Sequence, residues 1–294
     1  MNRALRSPII YICFILPALA LFVAFFVYPL ITSIYYSFTD WNGISSNYTF
    51  AGMKNFSKAL QDPSFWKAAL NNFYFIAFSL LIQLPLIIIF SLLIANVKRL
   101  KGFYKSAVFM PSIMSTAVIG ILWGFIYNPD VGLLNKVLGL FGIEPLYWLA
   151  EQNLAMLSIL ITNAWQWTGF YIILVLAAIL GIPREVEEAA LIDGATKYQR
   201  ATRITIPLIM PVISVVVLLS VAGAMKAADI VVVMTKGGPA STTDVLITYM
   251  IKHAITSFQY GLGNAITVLI FILTLIITGI YQGVFARRSE RVEY

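Results

Sequence analysis

Charged residues are scarce in this sequence. Asp, Glu, Lys and Arg make up 11% of the 294 residues, whereas 60% of the residues are hydrophobic. In a soluble domain about 25% of the residues are charged. This composition excludes an ordinary soluble globular protein and indicates a chain that is embedded in a membrane.

Side chains suited to redox or metal chemistry are equally scarce. The sequence has one cysteine, Cys13, and one histidine, His253. A lone cysteine forms no internal disulfide, and zinc sites need three or four His, Cys or carboxylate ligands. An enzyme acting within the membrane would therefore have few catalytic groups available. We expect no enzymatic activity, no catalytic residue, no metal site and no cofactor bound by this chain.

A phosphate-binding loop is also missing. The segments "KGFYKS" and "TKGG" do not fit the pattern G-x-x-x-x-G-K-[ST]. If ATP drives this protein, a separate chain must hydrolyse it. The sequence also lacks a basic patch interleaved with aromatic residues, so nucleic acid is not an expected partner.

Long uncharged stretches make up most of the sequence. Six of them contain no Asp, Glu, Lys or Arg, and each is at least as long as the roughly 20 residues that cross the hydrocarbon core as a helix. Continuous apolar runs of this length are typical of membrane helices. We therefore predict an all-α integral membrane protein that forms a single domain over residues 1–294. The predicted spans are approximately 8–39, 69–97, 106–127, 154–181, 205–233 and 263–286.

Basic residues are divided unequally between the two sides of the membrane. With the N-terminus in the cytoplasm, cytoplasmic segments hold 13 Lys and Arg residues and outside loops hold 6. Because Lys and Arg favour the cytoplasmic side, both termini are predicted to be cytoplasmic. The first apolar run is too long for a cleavable signal peptide, so we interpret it as an uncleaved span.

One charged segment, "EEAALIDGATKYQRATRITIPLIMP" at 187–211, interrupts the apolar sequence. Pro183 suits the first turn of a helix, and Gly194 suits the left-handed end of that helix. Thr196 and Gln199 have the spacing of a capping box, which marks the start of a second helix. The segment is therefore predicted to form two short cytoplasmic helices joined at Gly194.

Two roles are open for this charged segment. An amphipathic linker would lie among the lipid headgroups, and such linkers favour Lys, Arg and bulky apolar residues. This segment is instead rich in Ala and contains acids as well as bases. Small residues flanked by charges suit docking into a groove of a partner protein, which is the interpretation we favour.

Polar residues within the spans are candidates for a transport path. Asn163, Trp165 and Gln166 lie in span four, where amides and aromatic rings suit the recognition of sugar rings; an aromatic belt is the alternative for the tryptophan. Lys226 and Asp229 lie in span five, and charges inside a membrane are costly and usually functional. Because they are three residues apart, an ion pair between them is the alternative to a role in the path.

Further candidates lie towards the outside. Tyr260 and Asn264, near span six, are predicted to add to the lining of the path. The segment "TKGGP" predicts a tight turn, which either shapes an outer opening and docks a partner protein or is a plain loop. The candidate residues of this turn are Thr235, Gly237, Gly238 and Pro239.

The charged segment closely resembles the EAA loop of ABC-importer permeases, whose pattern is E-A-A-x-x-D-G-A followed by I-x-L-P. The residues that match this pattern are Glu188, Ala189, Ala190, Asp193, Gly194, Ala195, Ile204 and Pro207. Two residues depart from the family: Ala201 stands where a large aromatic residue is usual, and Ile206 replaces the usual Leu.

Other stretches extend the resemblance over nearly the whole chain in order. Among them, "LWGFIYNPDVGLLN" and "MKAADIVVVMTKGGPASTT" are similar to the carbohydrate class of these permeases. The exit of the first span, "SFTDWN", resembles the maltose-type F subunit or the glycerol-3-phosphate A subunit.

This resemblance implies the type I ABC importer architecture, with 183–207 as a cytoplasmic coupling loop that sits in a cleft of an ATPase. It implies a multi-pass subunit in the plasma membrane of a prokaryote, surrounded by membrane lipid, that moves a sugar or oligosaccharide into the cytoplasm. The implied partners are a second related permease, two ATPase subunits that use ATP and Mg, and an extracytoplasmic solute-binding protein. The alternative is an ion-coupled secondary transporter of a small solute, for which Asp229 is the one intramembrane acid.

Overall fold

The computed structural model describes residues 8–283, with side chains from Tyr11 onward, and this range is almost entirely helical. Within it, the only β pairing is an isolated bridge between Thr39 and Phe50. Five of the arginines on which the topology prediction rests lie outside the described residues: Arg3, Arg6, Arg287, Arg288 and Arg291.

The α-helices of the described range are numbered in chain order. They are α1 (Pro8–Phe22), α2 (Tyr28–Ser37), α3 (Lys54–Gln61), α4 (Pro63–Phe78), α5 (Leu84–Ala95), α6 (Lys101–Ile113), α7 (Thr116–Ile126), α8 (Leu133–Gly139), α9 (Gln152–Leu180), α10 (Arg184–Ile192), α11 (Lys197–Arg200), α12 (Ile206–Leu208), α13 (Met210–Met225), α14 (Ala228–Met234), α15 (Leu246–Ile251) and α16 (Tyr260–Tyr281). Short π-helical turns lie at Val23–Val27, Ser79–Gln83, Ala201–Thr205 and Lys252–Thr256.

Within residues 8–283, four helical stretches are long and apolar enough to cross a membrane without a break. They are Tyr11–Ser37, Pro63–Ala95, Gln152–Leu180 and Tyr260–Tyr281. In the first two, a π-helical turn connects two α-helices, so each pair of helices counts as one span. These four correspond to the first, second, fourth and sixth predicted spans.

The third predicted span, at 106–127, is not a straight helix. The α6 and α7 helices meet at an angle of 98° across Met114 and Ser115, both of which have extended backbone conformations. Pro111 lies in the last turn of α6 and donates no backbone hydrogen bond. The Gln166 side chain stabilises the bend, because its Nε2 donates to the Met114 carbonyl at 3.3 Å and to Thr116 Oγ1 at 3.1 Å.

The fifth predicted span, at 205–233, is interrupted twice. Its first part, Lys197–Leu208, meets α13 at 69°, and the bend falls at Ile209, between Pro207 and Pro211. The second interruption follows Met225, where α13 ends and α14 begins only at Ala228. With each bent pair counted as one span, the described residues contain up to six candidate spans by length and composition.

The chain forms two compact units, of which the larger comprises 64–249 and the described residues from 272 onward. Its centre is α9, which packs against α5, α6 and α13. Ile159, Val175 and Leu176 of this helix are fully buried or nearly so. Apolar side chains on several faces of α9 therefore contact neighbouring helices.

The smaller unit comprises 250–271 and the described residues up to 63. Asn55 closes the end of its first span, because its Nδ2 donates to the carbonyls of Ser37 at 2.9 Å and Thr39 at 2.7 Å. In the loop that follows, Asp40 accepts hydrogen bonds from the Thr49 backbone N–H and hydroxyl. These hydrogen bonds, first the one from the Thr49 hydroxyl and then the one from its backbone N–H, hold the pKa of the exposed Asp40 carboxyl below its usual value.

Gly169 allows α9 to approach α6 closely. A Cβ at this position would overlap the carbonyl oxygen of Val108, which belongs to the backbone of α6. Gly124, in α7, differs, because a Cβ there would have no neighbouring atom within 4 Å. Substitution of each glycine by Ala therefore distinguishes two effects. At Gly169 the added methyl group disturbs the packing of two helices, whereas at Gly124 it only adds a methyl group to a membrane helix.

We expect Gly169→Ala to lower the thermal stability of the protein, because the new methyl group forces α6 and α9 apart. Overpacking of this kind costs about 1–3 kcal/mol. The measurement is the midpoint of thermal unfolding of the purified protein in detergent. Gly124→Ala is the matched control and should leave the midpoint unchanged or raise it, since Ala favours helix over Gly. Equal midpoints for the two variants would contradict the close approach.

Candidate functional site

The charged segment forms two helices and a turn, as predicted. The first helix, α10, ends at Ile192, and Gly194 follows in the left-handed conformation with φ of +76°. Thr196 accepts from the Gln199 backbone N–H at 3.2 Å, and the Gln199 side chain accepts from the Thr196 backbone N–H at 2.8 Å. This capping box starts α11 and confirms the spacing argument.

The two helices expose apolar side chains to their surroundings. Ile192 is 86% exposed, Tyr198 is 77% exposed and Leu191 is 54% exposed. In an aqueous compartment such a surface is stabilised by contact with another protein. We call the loop 183–207, which contains these three residues, the coupling loop, after the role that the family resemblance implies for it.

The residues that match the family pattern differ in exposure. Four of them are exposed on the coupling loop, three are partly buried, and one is buried. The exposed residues are Glu188, Ala189, Asp193 and Gly194, the partly buried residues are Ala195, Ile204 and Pro207, and the buried residue is Ala190. Some residues of the pattern thus lie on the exposed surface of the loop, and others pack where the loop joins the spans.

A cavity of ≈ 260 Å³ lies among the helices of the larger unit. Four helical regions form its wall: the α4–α5 region, the start of α7, the middle of α9, and the end of α13 with α14. Its lining includes the aromatic residues Phe75, Trp167 and Tyr171 as well as the amide of Asn163. We call this space the central cavity.

Two of the charged candidates face the central cavity. Lys226 and Asp229 both line it, and both are exposed. They do not share a regular helical face, because the helix is interrupted after Met225 and Lys226 has φ of −104°. The described residues contain no ion pair between the two, so each charge is available to a molecule in the cavity.

Several polar residues of the cavity wall are absent from the sequence-based candidates. Ser79 donates to Gln83 Oε1 at 2.7 Å, and Gln83 Nε2 donates to Thr168 Oγ1 at 3.2 Å. Ser220 also lines the cavity. Ser79 and Gln83 are four residues apart in a largely apolar span, and this spacing on one helix face is a signal in the sequence that points to them.

The other two candidates of span four do not line the central cavity. Gln166 is 1% exposed and supports the bend between α6 and α7 through the hydrogen bonds described above. Trp165 faces an apolar groove and contacts the edge of Trp123, with ring centroids 5.6 Å apart. The structure therefore brings Asn163, Lys226 and Asp229 together around the central cavity, whereas Gln166 lies outside its lining.

Tyr260 and Asn264 belong to the smaller unit. The Tyr260 ring lies against Trp41, with centroids 5.6 Å apart. Asn264 accepts from the Ser33 hydroxyl at 2.7 Å and donates to the Tyr260 carbonyl at 2.8 Å. Their contacts within this unit connect the start of α16 to the first span and the loop after it.

The segment "TKGGP" forms the predicted tight turn. Lys236 and Gly237 both have positive φ, and Gly238 precedes Pro239 through a cis peptide bond. Thr235 Oγ1 and Thr243 Oγ1 are 2.7 Å apart, and Thr243 also donates to the Gly238 carbonyl at 2.7 Å. These hydrogen bonds fold the segment after α14 back on itself.

Two adjacent asparagines of α4 hold the chain that follows this turn. Asn71 Nδ2 donates to the carbonyls of Thr242 and Asp244 at 2.8 and 2.7 Å. Asn72 accepts from the Leu246 backbone N–H at 2.9 Å and donates to the Ala224 carbonyl at 2.8 Å. Both asparagines are buried, so α4 fixes the end of α13 beside the central cavity.

Comparison with known proteins identifies the family. The family model described as binding-protein-dependent transport system inner membrane component matches residues 64–291, which is most of the chain. The chain belongs to this family of permeases. It is therefore a multi-pass protein of the cell membrane and a component of a binding-protein-dependent ABC transport system.

Relatives of this permease match over nearly its full length. The probable ABC transporter permease protein YurN of Bacillus subtilis (strain 168) is 33% identical over 289 residues, covering 97% of this chain and 99% of YurN. The trehalose/maltose transport system permease protein MalF of Thermococcus litoralis is 31% identical, covering 94% of this chain and 93% of MalF.

Two solved structures have the same fold. A bacterial ABC transporter involved in the import of the acidic polysaccharide alginate matches with a TM-score of 0.83 and 24% identity, over 98% of this permease and 97% of that chain. The bacterial alginate ABC transporter in complex with an alginate pentasaccharide-bound periplasmic protein matches with a TM-score of 0.84 and 25% identity, over 97% and 96%. The predicted importer architecture is thereby confirmed.

Proposed function

We propose that this permease is one of two transmembrane subunits of an ATP-driven importer that moves a sugar or oligosaccharide into the cytoplasm. The main support is the central cavity, where the Trp167 ring and the Asn163 amide line the same space. Aromatic rings cover the apolar faces of sugars, and amides hydrogen-bond to hydroxyl groups. The cavity thus combines both kinds of contact that a sugar requires.

The relatives support the same class of substrate. MalF of Thermococcus litoralis belongs to a trehalose/maltose transport system, and NgcF of Streptomyces coelicolor, which is 32% identical, belongs to a diacetylchitobiose uptake system. In the structural neighbour, the pentasaccharide is bound to a periplasmic protein. We assign to this permease a neutral or acidic saccharide delivered by a solute-binding protein, with Lys226 as the cation nearest to an acidic substrate.

The coupling loop is the proposed docking site for one of two ATPase subunits. Ile192 and Tyr198 would enter a cleft of the ATPase, and Glu188 and Asp193 would form polar contacts at its rim. ATP and Mg would be bound by that partner. A second, related permease would complete the translocation path, and the turn at 235–239 would shape the outer opening or contact the solute-binding protein.

Uptake by the complete complex tests this function. The permease, copurified with its own partner subunits and reconstituted in proteoliposomes, is expected to import a saccharide only with internal ATP and external solute-binding protein. The control is a complex whose ATPase lacks its phosphate-loop lysine, and this complex should show no uptake. Uptake that persists without ATP and collapses with an ionophore would contradict the proposal and favour an ion-coupled transporter.

A further inference from the structure

A second cavity, of ≈ 270 Å³, lies where the spans meet the coupling loop. One side of it is apolar and is formed by the last turns of α5 and α9, including Leu92, Ala95 and Leu180. The other side is formed by Arg184 of α10 and by Lys197 and Arg200 of α11. We call this space the basic cavity.

Positive charge exceeds negative charge around the basic cavity. Arg184, Lys197 and Arg200 line it, whereas Glu187 is the one acid among its lining residues. A further cation lies at its border, because Lys101 Nζ donates to the carbonyl of Ala95 at 3.1 Å. An anion that entered this space would meet more cations than the single carboxylate neutralises.

Arg200 has an unused hydrogen-bonding group in this position. Its Nε atom is buried and has no hydrogen-bond partner. Buried polar atoms are nearly always hydrogen-bonded, and leaving one unpaired is unfavourable. A planar guanidinium suits the oxygens of a phosphate, to which it donates two parallel hydrogen bonds.

Under the predicted topology, the basic cavity lies near the lipid headgroups of the cytoplasmic leaflet. The spans that border it end at Ala95 and Leu180, on the side predicted to be cytoplasmic, and Leu180 is 48% exposed. Basic pockets between membrane helices on that side bind anionic lipid headgroups. The apolar wall would contact the upper part of an acyl chain. Neither a free phosphate ion nor an acidic side chain of a partner protein has an apolar part that would contact this wall.

We propose that the basic cavity binds the phosphate of an anionic phospholipid from the cytoplasmic leaflet. The bound lipid connects the two sides of the cavity, because its phosphate contacts α11 of the coupling loop and its acyl chain contacts the ends of α5 and α9. The coupling loop is then held against the spans through a lipid, and its attachment depends on the anionic lipid content of the membrane.

Lipid retention by the full complex tests this site. The complex is purified from nanodiscs that contain phosphatidylcholine with phosphatidylglycerol, and bound lipids are counted by native mass spectrometry. We expect Arg200→Gln and Lys197→Gln to reduce the retained phosphatidylglycerol about fivefold. Arg203→Gln is the matched control, because Arg203 is an exposed cation of the same segment that does not line the cavity. This control should retain lipid like the unchanged protein.

A second variant tests whether lipid retention needs the open volume of the basic cavity, with its cations unchanged. Ala201 lines the basic cavity, so Ala201→Phe should fill it, leave all cations in place and cause the same loss of lipid. Equal retention by all variants would overturn the proposal. Retention of inorganic phosphate in this cavity, with no phosphatidylglycerol retained there, would assign the site to free phosphate instead. Loss of the ATPase from the Arg200→Gln complex with unchanged lipid would assign Arg200 to a protein contact.

Discussion

Replacing Gly194 with valine is expected to lower ATP-driven transport about tenfold without reducing the amount of permease in the membrane. Gly194 has φ of +76°, and an added Cβ would meet no atom within 4 Å. The penalty is therefore one of backbone conformation alone, roughly 1–2 kcal/mol and greater for a β-branched residue. Since about 1.4 kcal/mol corresponds to a factor of ten, the equilibrium constant between the turn joining α10 and α11 and other backbone conformations would fall about tenfold.

Gly194→Asn is the matched control for this prediction. Asn adopts the left-handed conformation more readily than other residues with a side chain, so this variant should keep most of the transport activity. Transport and ATP hydrolysis are measured separately in proteoliposomes, because a defect in coupling reduces the first more than the second. Equal activity of the Val and Asn variants would show that the conformation of Gly194 does not matter for coupling.

The coupling loop was predictable because its signals are local in the sequence. A glycine after an apolar helix and a Thr-x-x-Gln capping box act within one or two helical turns. The structure shows both, with the left-handed Gly194 and the reciprocal hydrogen bonds of Thr196 and Gln199. Neither signal depends on which other helices pack nearby.

The bend in the third span was not predictable in the same way. Pro111 weakens the end of α6, but its position alone permits either a kinked helix or a break. The angle of 98° also depends on Gln166, which belongs to a helix some 50 residues later and binds both sides of the break. A hydrogen bond between residues so far apart in the sequence forms only in the folded protein, so local sequence signals do not predict it.

The lining of the central cavity was predictable in part. Polar residues in the sequence show which span contributes to a cavity, but they do not show which face of that helix lines it. Asn163 and Trp167 are four residues apart and line the cavity together, whereas Trp165 faces an apolar groove. Helical spacing separates these residues, since positions two apart lie on nearly opposite sides. Lys226 and Asp229 also line the cavity, but the break after Met225 gives them a different geometry from that of a continuous helix.

Obstructing the central cavity with a single side chain is expected to abolish transport. Gly223 of α13 lines the cavity, and a Cβ there would have only the Tyr171 hydroxyl nearby, at 3.8 Å. Gly223→Phe would therefore place a phenyl ring in the open space without displacing the backbone of a neighbouring helix. Because the ring occupies the volume that a saccharide needs, we expect uptake to fall at least about a hundredfold, while the complex still assembles.

Gly223→Ala is the control that distinguishes obstruction of the central cavity from a disturbance of α13 caused by replacing the glycine. Its methyl group makes an ordinary van der Waals contact with Tyr171, and Ala favours helix over Gly, so uptake should stay close to that of the unchanged protein. Both complexes are compared for ATP-driven saccharide uptake and for unfolding midpoint. Transport by a stable Gly223→Phe complex at the normal rate would place the path elsewhere. Loss of uptake by the Phe variant alone, at equal stability, would show that the substrate passes between α9 and α13, where Trp167 and Asn163 line the space.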